Sequence, residues 1–158
     1  TSIDLYTGKT TFKKAGAPVT FVKKNGRVTV REMPSLPAGI LNGIKFSTDT
    51  VNLTTGDMIV MVSDGVITGD DKWLEKLIRT WNEGSTQDLA KAVVDEAVKH
   101  RKADREDDVT AVAIRITENG HCSKMGYCTA SSQRRMYSKR VAARYLCCGG
   151  NLFLRYAD

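Results

Sequence analysis

The stretch that decides the fold is GDMIVMVSDGVITGDD, residues 56–71. Its centre, from Met58 to Ser63, is almost entirely apolar, which predicts a buried strand. That strand runs directly into Asp64 and Gly65. A carboxylate at the edge of a core is costly unless it is paired or binds a metal, and a glycine lets the backbone turn sharply and approach a ligand closely. The stretch therefore raises the question of which partner Asp64 has.

The composition is that of one soluble globular domain. The chain has 158 residues, of which 41% are hydrophobic and 27% charged. No apolar run approaches the roughly 20 residues that cross a bilayer, and the first ten residues lack the apolar core of a signal peptide. We therefore expect a cytoplasmic location and no membrane contact by this chain.

The net charge of +6 is concentrated in one segment. Residues 118–158 contain seven Lys or Arg against two acids, and they contain all four cysteines. Residues 1–117 are thus a nearly neutral, cysteine-free body, and residues 118–158 are a basic tail. Because the excess positive charge lies in the tail, the overall charge is no sign that the body binds nucleic acid. We therefore expect no nucleic-acid partner.

The body begins with strands. Alternating residues with turns at Thr7-Gly8 and Asn25-Gly26 predict two hairpins. A further strand leads to the Gly56-Asp57 turn, and residues 107–117 form a closing strand. The paired lysines of the hairpins, Lys13-Lys14 and Lys23-Lys24, are expected at solvated strand ends.

Two helices lie between the last two strands. Residues 71–84 place Trp73 and Trp81 on one apolar face, with Gly84 as the predicted C-cap. Residues 85–101 form a second helix that has Ser85 or Thr86 as N-cap and an acid, Asp88, in its first turn. Hairpins followed by helices and one closing strand predict an α+β fold, in which helices cover an antiparallel sheet.

Acids mark two strand ends. Asp64 follows one buried strand, and Asp107 and Asp108 open another. If the two strands are neighbours, these carboxylates converge at one sheet edge, where a hard divalent cation such as Mg²⁺ would bind them. In the alternative interpretation, Asp64-Gly65 is a simple turn and the other acids lie in a solvated loop. Spacing alone leaves both open.

A set of ordered motifs extends over residues 3–117: IDLYTGK, KKAGAP, LPAGIL, LTTGDMIVMVSDGV and REDDVTAVAIRI. Each motif is common, but their order and spacing are specific. The chain resembles the C-terminal half of the metal-dependent PPM (PP2C-like) serine/threonine phosphatase domain. It is most similar to the bacterial branch that contains the sporulation stage II E phosphatase and the stress-response sigma-factor regulators.

The resemblance implies a β-sandwich of antiparallel sheets flanked by helices, with a pair of Mn²⁺ or Mg²⁺ ions at one edge. These ions hold a water that attacks a phosphoserine or phosphothreonine. By position, Asp64 and Asp107 would bind the same ion. Asp108 would be a supporting residue, and Gly65 would let the strand turn beneath the metal.

Two further residues match the family by position. Gly39 in LPAGIL corresponds to a glycine whose role we take to be structural. Asp4 is either a polar residue behind the metal ligands or a plain strand-edge acid.

The sequence departs from the family in one respect. The family's first Asp-Gly, whose carboxylate bridges the two metals, has no counterpart, since Asp64-Gly65 is the only Asp-Gly in the chain. We therefore expect a domain that is incomplete at its N-terminus and inactive alone, with exposed sheet edges that favour self-association. The expected substrate of the complete parent protein is a phosphorylated regulatory protein such as an anti-sigma-factor antagonist. The alternative is a non-catalytic interaction module of the same fold.

The tail, residues 118–158, has no counterpart in the family. His121 with Cys122 and Cys128, and the pair Cys147-Cys148, do not match the usual zinc spacing. We interpret the tail as a frame-shifted or other non-native segment, or as a solvated charged helix. We prefer these interpretations to a nucleic-acid-binding, membrane-binding or zinc-binding element. If the parent follows the sporulation enzyme, it is membrane-anchored, with this part in the cytoplasm.

Overall fold

The computed structural model describes residues 1–4, 6–43, 45–67, 69, 71–100 and 107–117 with their side chains, and the backbone alone of residues 124–130, 146–148 and 151–153. Its strands are β1 (Ser2–Asp4), β2 (Lys9–Lys13), β3 (Thr20–Lys24), β4 (Arg27–Arg31), β5 (Thr48–Asn52), β6 (Met58–Val62), β7 (Val109–Arg115), β8 (Lys124–Ala130), β9 (Leu146–Cys148) and β10 (Asn151–Phe153). A 3-10 turn spans Asp64–Val66, and the helices are α1 (Lys72–Thr80) and α2 (Thr86–His100).

The strands form two five-stranded sheets in which all the pairs are antiparallel. One sheet has the order β5-β2-β1-β10-β9, and the other has the order β4-β3-β6-β7-β8. The predicted α+β class, with antiparallel sheets and covering helices, is confirmed.

Side-chain alternation along β6 and β7 builds two apolar cores, one on each face of the second sheet. One face packs against the helices, where Val60 and Ala111 meet Leu74, Ile78 and other apolar residues. The other face packs against the first sheet, where Ile59, Val112 and Ile114 meet Ile3 and Phe12. Since successive strand residues point to opposite faces, β6 is apolar throughout because it is covered on both sides.

The predicted hairpin turns are present. Asn25 and Gly26 both have positive φ, at 50° and 77°, which is the conformation of a two-residue hairpin turn. At the first hairpin, Gly8 has φ +70°, and a Cβ at this position would lie 1.9 Å from the carbonyl oxygen of Leu53. The backbone N–H of Leu53 in turn donates to the Gly8 carbonyl at 2.9 Å. Gly8 of the motif is thus required where the chain passes very close to the loop after β5.

The prediction that the paired lysines are all solvated is wrong for Lys14 and Lys23, which are each only 6% exposed. The Lys14 ammonium donates to the carbonyl oxygens of Pro18 and Arg31. The ammonium of Lys23 lies within 2.9–3.1 Å of the carbonyl oxygens of Ile78, Arg79 and Trp81 and of the Asn82 side-chain oxygen. Burial lowers the pKa of both lysines.

The hydrogen bonds of Lys23 explain where α1 ends. The predicted C-cap was Gly84, but the helix ends at Thr80 and Trp81 is the capping residue. The last carbonyls of a helix have no partner within the helix, and here Lys23 of β3 supplies their donor. Gly84 instead has φ +100° and lies against the indole of Trp81. Both tryptophans pack at the border of the helix-facing core, as expected.

The start of α2 follows the prediction. Ser85 is the N-cap: its hydroxyl accepts from the backbone N–H of Asp88 at 3.0 Å and donates to the Asp88 carboxylate at 2.6 Å. In the part of the chain that the structure describes, neither helix is long and apolar enough to cross a membrane. Of the tail residues discussed above, His121 and Cys122 lie outside the described residues, and the zinc interpretation stays untested.

Candidate metal centre

The two acidic segments lie at the same sheet edge because β6 and β7 are neighbours. Their antiparallel register pairs Val62, the last residue of β6, with Ala111, near the start of β7. The chain therefore leaves β6 where it enters β7. The acids can converge only if these two strands are adjacent, and the structure meets this condition.

Ser63 joins the two segments. Its backbone N–H donates to the carbonyl of Thr110 at 3.0 Å. Its hydroxyl accepts from the backbone N–H of Thr110 at 2.9 Å and donates to the carbonyl of Asp108 at 3.1 Å. A serine at the end of an apolar run was part of the motif, but the sequence offered no signal for this bridging role.

Gly65 is a point of very close approach between the two segments. A Cβ at this residue would lie 2.4 Å from the carbonyl oxygen of Asp108 and 3.2 Å from the Cβ of Asp107. No side chain larger than hydrogen fits there without moving the neighbouring segment. Gly65 does not have a positive φ, so its glycine is required by the contact and not by the backbone conformation.

Asp64 opens the 3-10 turn that follows β6. One of its carboxylate oxygens accepts from the backbone N–H of Gly65 at 3.2 Å. Asp64, Asp107 and Asp108 are all exposed to solvent. Their carboxylates are therefore accessible to a cation from solution.

The donor chemistry at this edge suits a hard divalent cation, because carboxylate oxygens are the ligands that Mg²⁺ and Mn²⁺ favour. Within the described ranges, however, no three His, Cys, Asp or Glu side chains form a group that could hold a metal. Asp64 and Asp107 would each offer one carboxylate to such an ion.

Asp57, which the sequence suggested only as part of a turn, ties three elements together. Its buried carboxylate accepts from the backbone N–H of Asn25 at 3.1 Å and from the backbone N–H and hydroxyl of Thr54 at 2.8 and 3.1 Å. Its own carbonyl accepts from Ile116 at 2.9 Å, just beyond β7. Asp57 therefore holds the far end of the β6–β7 pair.

Asp4 and Gly39, the two further residues that match the family by position, have no described contact with the acidic edge. The carboxylate of Asp4 accepts from the backbone N–H groups of Tyr6 and Thr7 at 2.9 and 3.1 Å. The hydrogen bonds from Thr7 and then Tyr6 lower the pKa of Asp4. This geometry is that of an acid stabilising its own turn. Gly39 lies in an exposed loop with φ +90° and has no atom within 4 Å of its would-be Cβ.

Two antiparallel sheets, covering helices and an acidic edge between adjacent strands define the class: this is the fold of the PP2C phosphatase domain. The phosphatase domain of the cell fate determinant SpoIIE from Bacillus subtilis, presoaked with Mn, superposes with a TM-score of 0.60 at 28% identity, covering 74% of this chain and 54% of that one. A second crystal form, without domain swapping, gives 0.60 at 30% identity, covering 75% and 55%.

The family follows from the sequence comparison. The family model of Stage II sporulation protein E (SpoIIE) matches residues 1–117, and the chain belongs to this family. Stage II sporulation protein E of Bacillus subtilis is 29% identical over 123 residues, and that of Priestia megaterium is 28% identical over 125 residues. The chain spans 15% and 21% of the length of these two relatives.

Proposed function

We propose that this chain contributes one half of the metal centre of a PP2C-like phosphatase domain that hydrolyses phosphoserine or phosphothreonine. Asp64 and Asp107 are the metal ligands of this half. Asp108 and Gly65 support them, and the ion is Mn²⁺ or Mg²⁺. The proposal is supported chiefly by one observation, the packing of Gly65 against the backbone of the Asp107–Asp108 segment.

The chemistry follows from the position of the carboxylates. When bound, a divalent cation lowers the pKa of its water and stabilises the charge that develops on a phosphoryl group. Asp64 and Asp107 would fix the cation at the sheet edge, and Ser63 would keep the two segments together through its hydrogen bonds to Asp108 and Thr110. Gly65 would allow the close approach that brings both carboxylates to one ion.

The substrate we propose is a phosphorylated regulatory protein, such as an anti-sigma-factor antagonist. This rests on the family, since the relatives are sporulation proteins and the solved domains are phosphatase domains. We propose further that residues 1–158 alone are inactive, because they contain a single Asp-Gly where the complete family centre uses two. We propose that residues 1–117 are the part of the chain that belongs to the phosphatase domain, and that this part is located in the cytoplasm.

A chimeric domain tests the catalytic proposal. Residues 1–117 replace the corresponding half of the Bacillus subtilis phosphatase domain, and hydrolysis of a phosphoserine protein is measured with Mn²⁺. Loss of groups behind metal ligands typically costs about 10–100-fold. Loss of a ligand, in Asp64→Asn or Asp107→Asn, should therefore cost at least about 100-fold. The control Asp95→Asn, on α2, should retain activity, and the unfused chain should show none.

The chimera also separates the two function classes. The single Asp-Gly of the chain, where the resemblance implies two, favours the alternative, a non-catalytic interaction module. A folded chimera without Mn²⁺-dependent turnover would support that module. Activity that survives Asp64→Asn would contradict the ligand assignment, and turnover by the unfused chain would contradict the proposal that it is inactive.

A further inference from the structure

The open side of the β-sandwich carries a basic groove, whose lining residues do not include the acids of the sheet edge. β4 and β5 are the outer strands of their sheets, since each is paired on one side only among the described strands. Between them lies a groove of about 470 Å³. Val22 and Val51 line its apolar part, and Lys24, Arg27 and Arg31 line its charged part.

The positive charge of this groove is only partly compensated. Arg31 forms an ion pair with Asp49 at 3.2 Å, yet its Nε is buried without a hydrogen-bond partner. The ammonium of Lys24 donates to the carbonyl of Asn52 at 2.6 Å, which leaves its charge unneutralised. In the described part of the chain, Arg27 has no carboxylate within ion-pair distance. The groove therefore complements a negatively charged ligand.

The side-chain spacing along β4 matches that of an extended polypeptide. Arg27, Thr29 and Arg31 share one face of β4, so successive side chains lie about 7 Å apart. An extended peptide presents every second side chain at the same interval. The unpaired side of β4 also offers backbone hydrogen-bonding groups, which is the means by which peptides add to a sheet edge.

We propose that this groove binds an acidic, extended segment of a partner protein, which lies along β4 and places alternate Asp or Glu side chains near Arg27 and Arg31. A nucleic acid fits less well, because none of the described residues that line the groove is aromatic and could stack on a base. The site is separate from the proposed metal centre, and its occupation does not require phosphatase activity.

Fluorescence anisotropy with the full chain tests the proposal. The probe is a labelled ten-residue peptide of alternating Glu and Thr, and its competitors are the same sequence with Lys for Glu and a version N-methylated at alternate residues. Arg27→Glu is expected to weaken binding by about tenfold, the equivalent of about 1.4 kcal/mol. The matched charge reversal Lys76→Glu, on the exposed side of α1, should leave the affinity unchanged.

Each outcome has a defined meaning. Because Arg27 is exposed, Arg27→Glu should keep the urea midpoint of the parent, and the milder Arg27→Gln provides a second variant. Competition by the unmodified acidic peptide, but not by the Lys or N-methylated versions, supports the proposal. Equal binding to parent and Arg27→Glu, equal competition by the N-methylated peptide, or tighter Arg27-dependent binding of a single-stranded oligonucleotide would overturn it.

Discussion

Replacement of Gly65 by alanine should disrupt the proposed metal centre while the protein still folds. The added methyl group would lie 2.4 Å from the carbonyl oxygen of Asp108 and 3.2 Å from the Cβ of Asp107. An ordinary contact begins at about 3.4 Å, so residue 65 and the Asp107–Asp108 segment must move apart by about 1 Å. Since metal–ligand distances tolerate only about 0.2 Å, the two carboxylates would no longer reach one ion.

We expect Gly65→Ala to lower Mn²⁺ affinity at least about tenfold and the free energy of unfolding by about 1–3 kcal/mol, the usual cost of overpacking. Calorimetric Mn²⁺ titration and urea unfolding measure the two effects. The matched control is Gly39→Ala. It adds no contact but forces alanine to φ +90°, which costs about 1–2 kcal/mol and should leave Mn²⁺ binding intact. Unchanged Mn²⁺ affinity in Gly65→Ala would refute the reasoning.

Three further substitutions test the fold that carries the site. Gly8→Ala places a methyl group 1.9 Å from the Leu53 carbonyl at φ +70°, and a loss of about 3 kcal/mol or more is expected in urea unfolding; a loss below about 1 kcal/mol would contradict the close approach. Lys23→Met removes the donor of the α1 carbonyls and should cost about 1–3 kcal/mol, with faster amide exchange at the end of α1; unchanged exchange there would argue against the capping role. The N–H groups of Thr7 and Tyr6 lower the pKa of Asp4 below 3.8, so the unfolded state takes up the proton first and stability is lost as pH falls through the folded pKa. Asp4→Asn should therefore flatten the decline of stability below about pH 4, and an unaltered acid profile would show that the turn does not hold the charge.

Local signals made much of this fold predictable. The Asn25-Gly26 turn, the Ser85 cap and the apolar run of β6 each depend on residues close in sequence. The adjacency of β6 and β7 does not follow from the sequence, because strand order depends on long-range packing. The motif resemblance then supplied the β-sandwich, which hairpins and helices alone do not specify.

The features that were missed depend on partners distant in sequence. Lys23 resembles a solvated strand-end lysine until α1 places its carbonyls around the ammonium, 55 to 59 residues away. Asp57 resembles a turn residue until the hairpin at Asn25 and the end of β7 pack against it. The close contact at Gly65 likewise becomes visible only when the two strand ends are side by side.

The central claim is that Asp64 and Asp107 bind the same ion, and a double-mutant cycle of Mn²⁺ binding tests it most directly. Calorimetry is performed on the parent, Asp64→Asn, Asp107→Asn and the double variant, with Asp95→Asn as the control. If both residues bind one ion, the double variant loses scarcely more affinity than either single variant, because the losses are not additive. Additive losses, or single variants that bind Mn²⁺ as the parent does, would contradict the shared site.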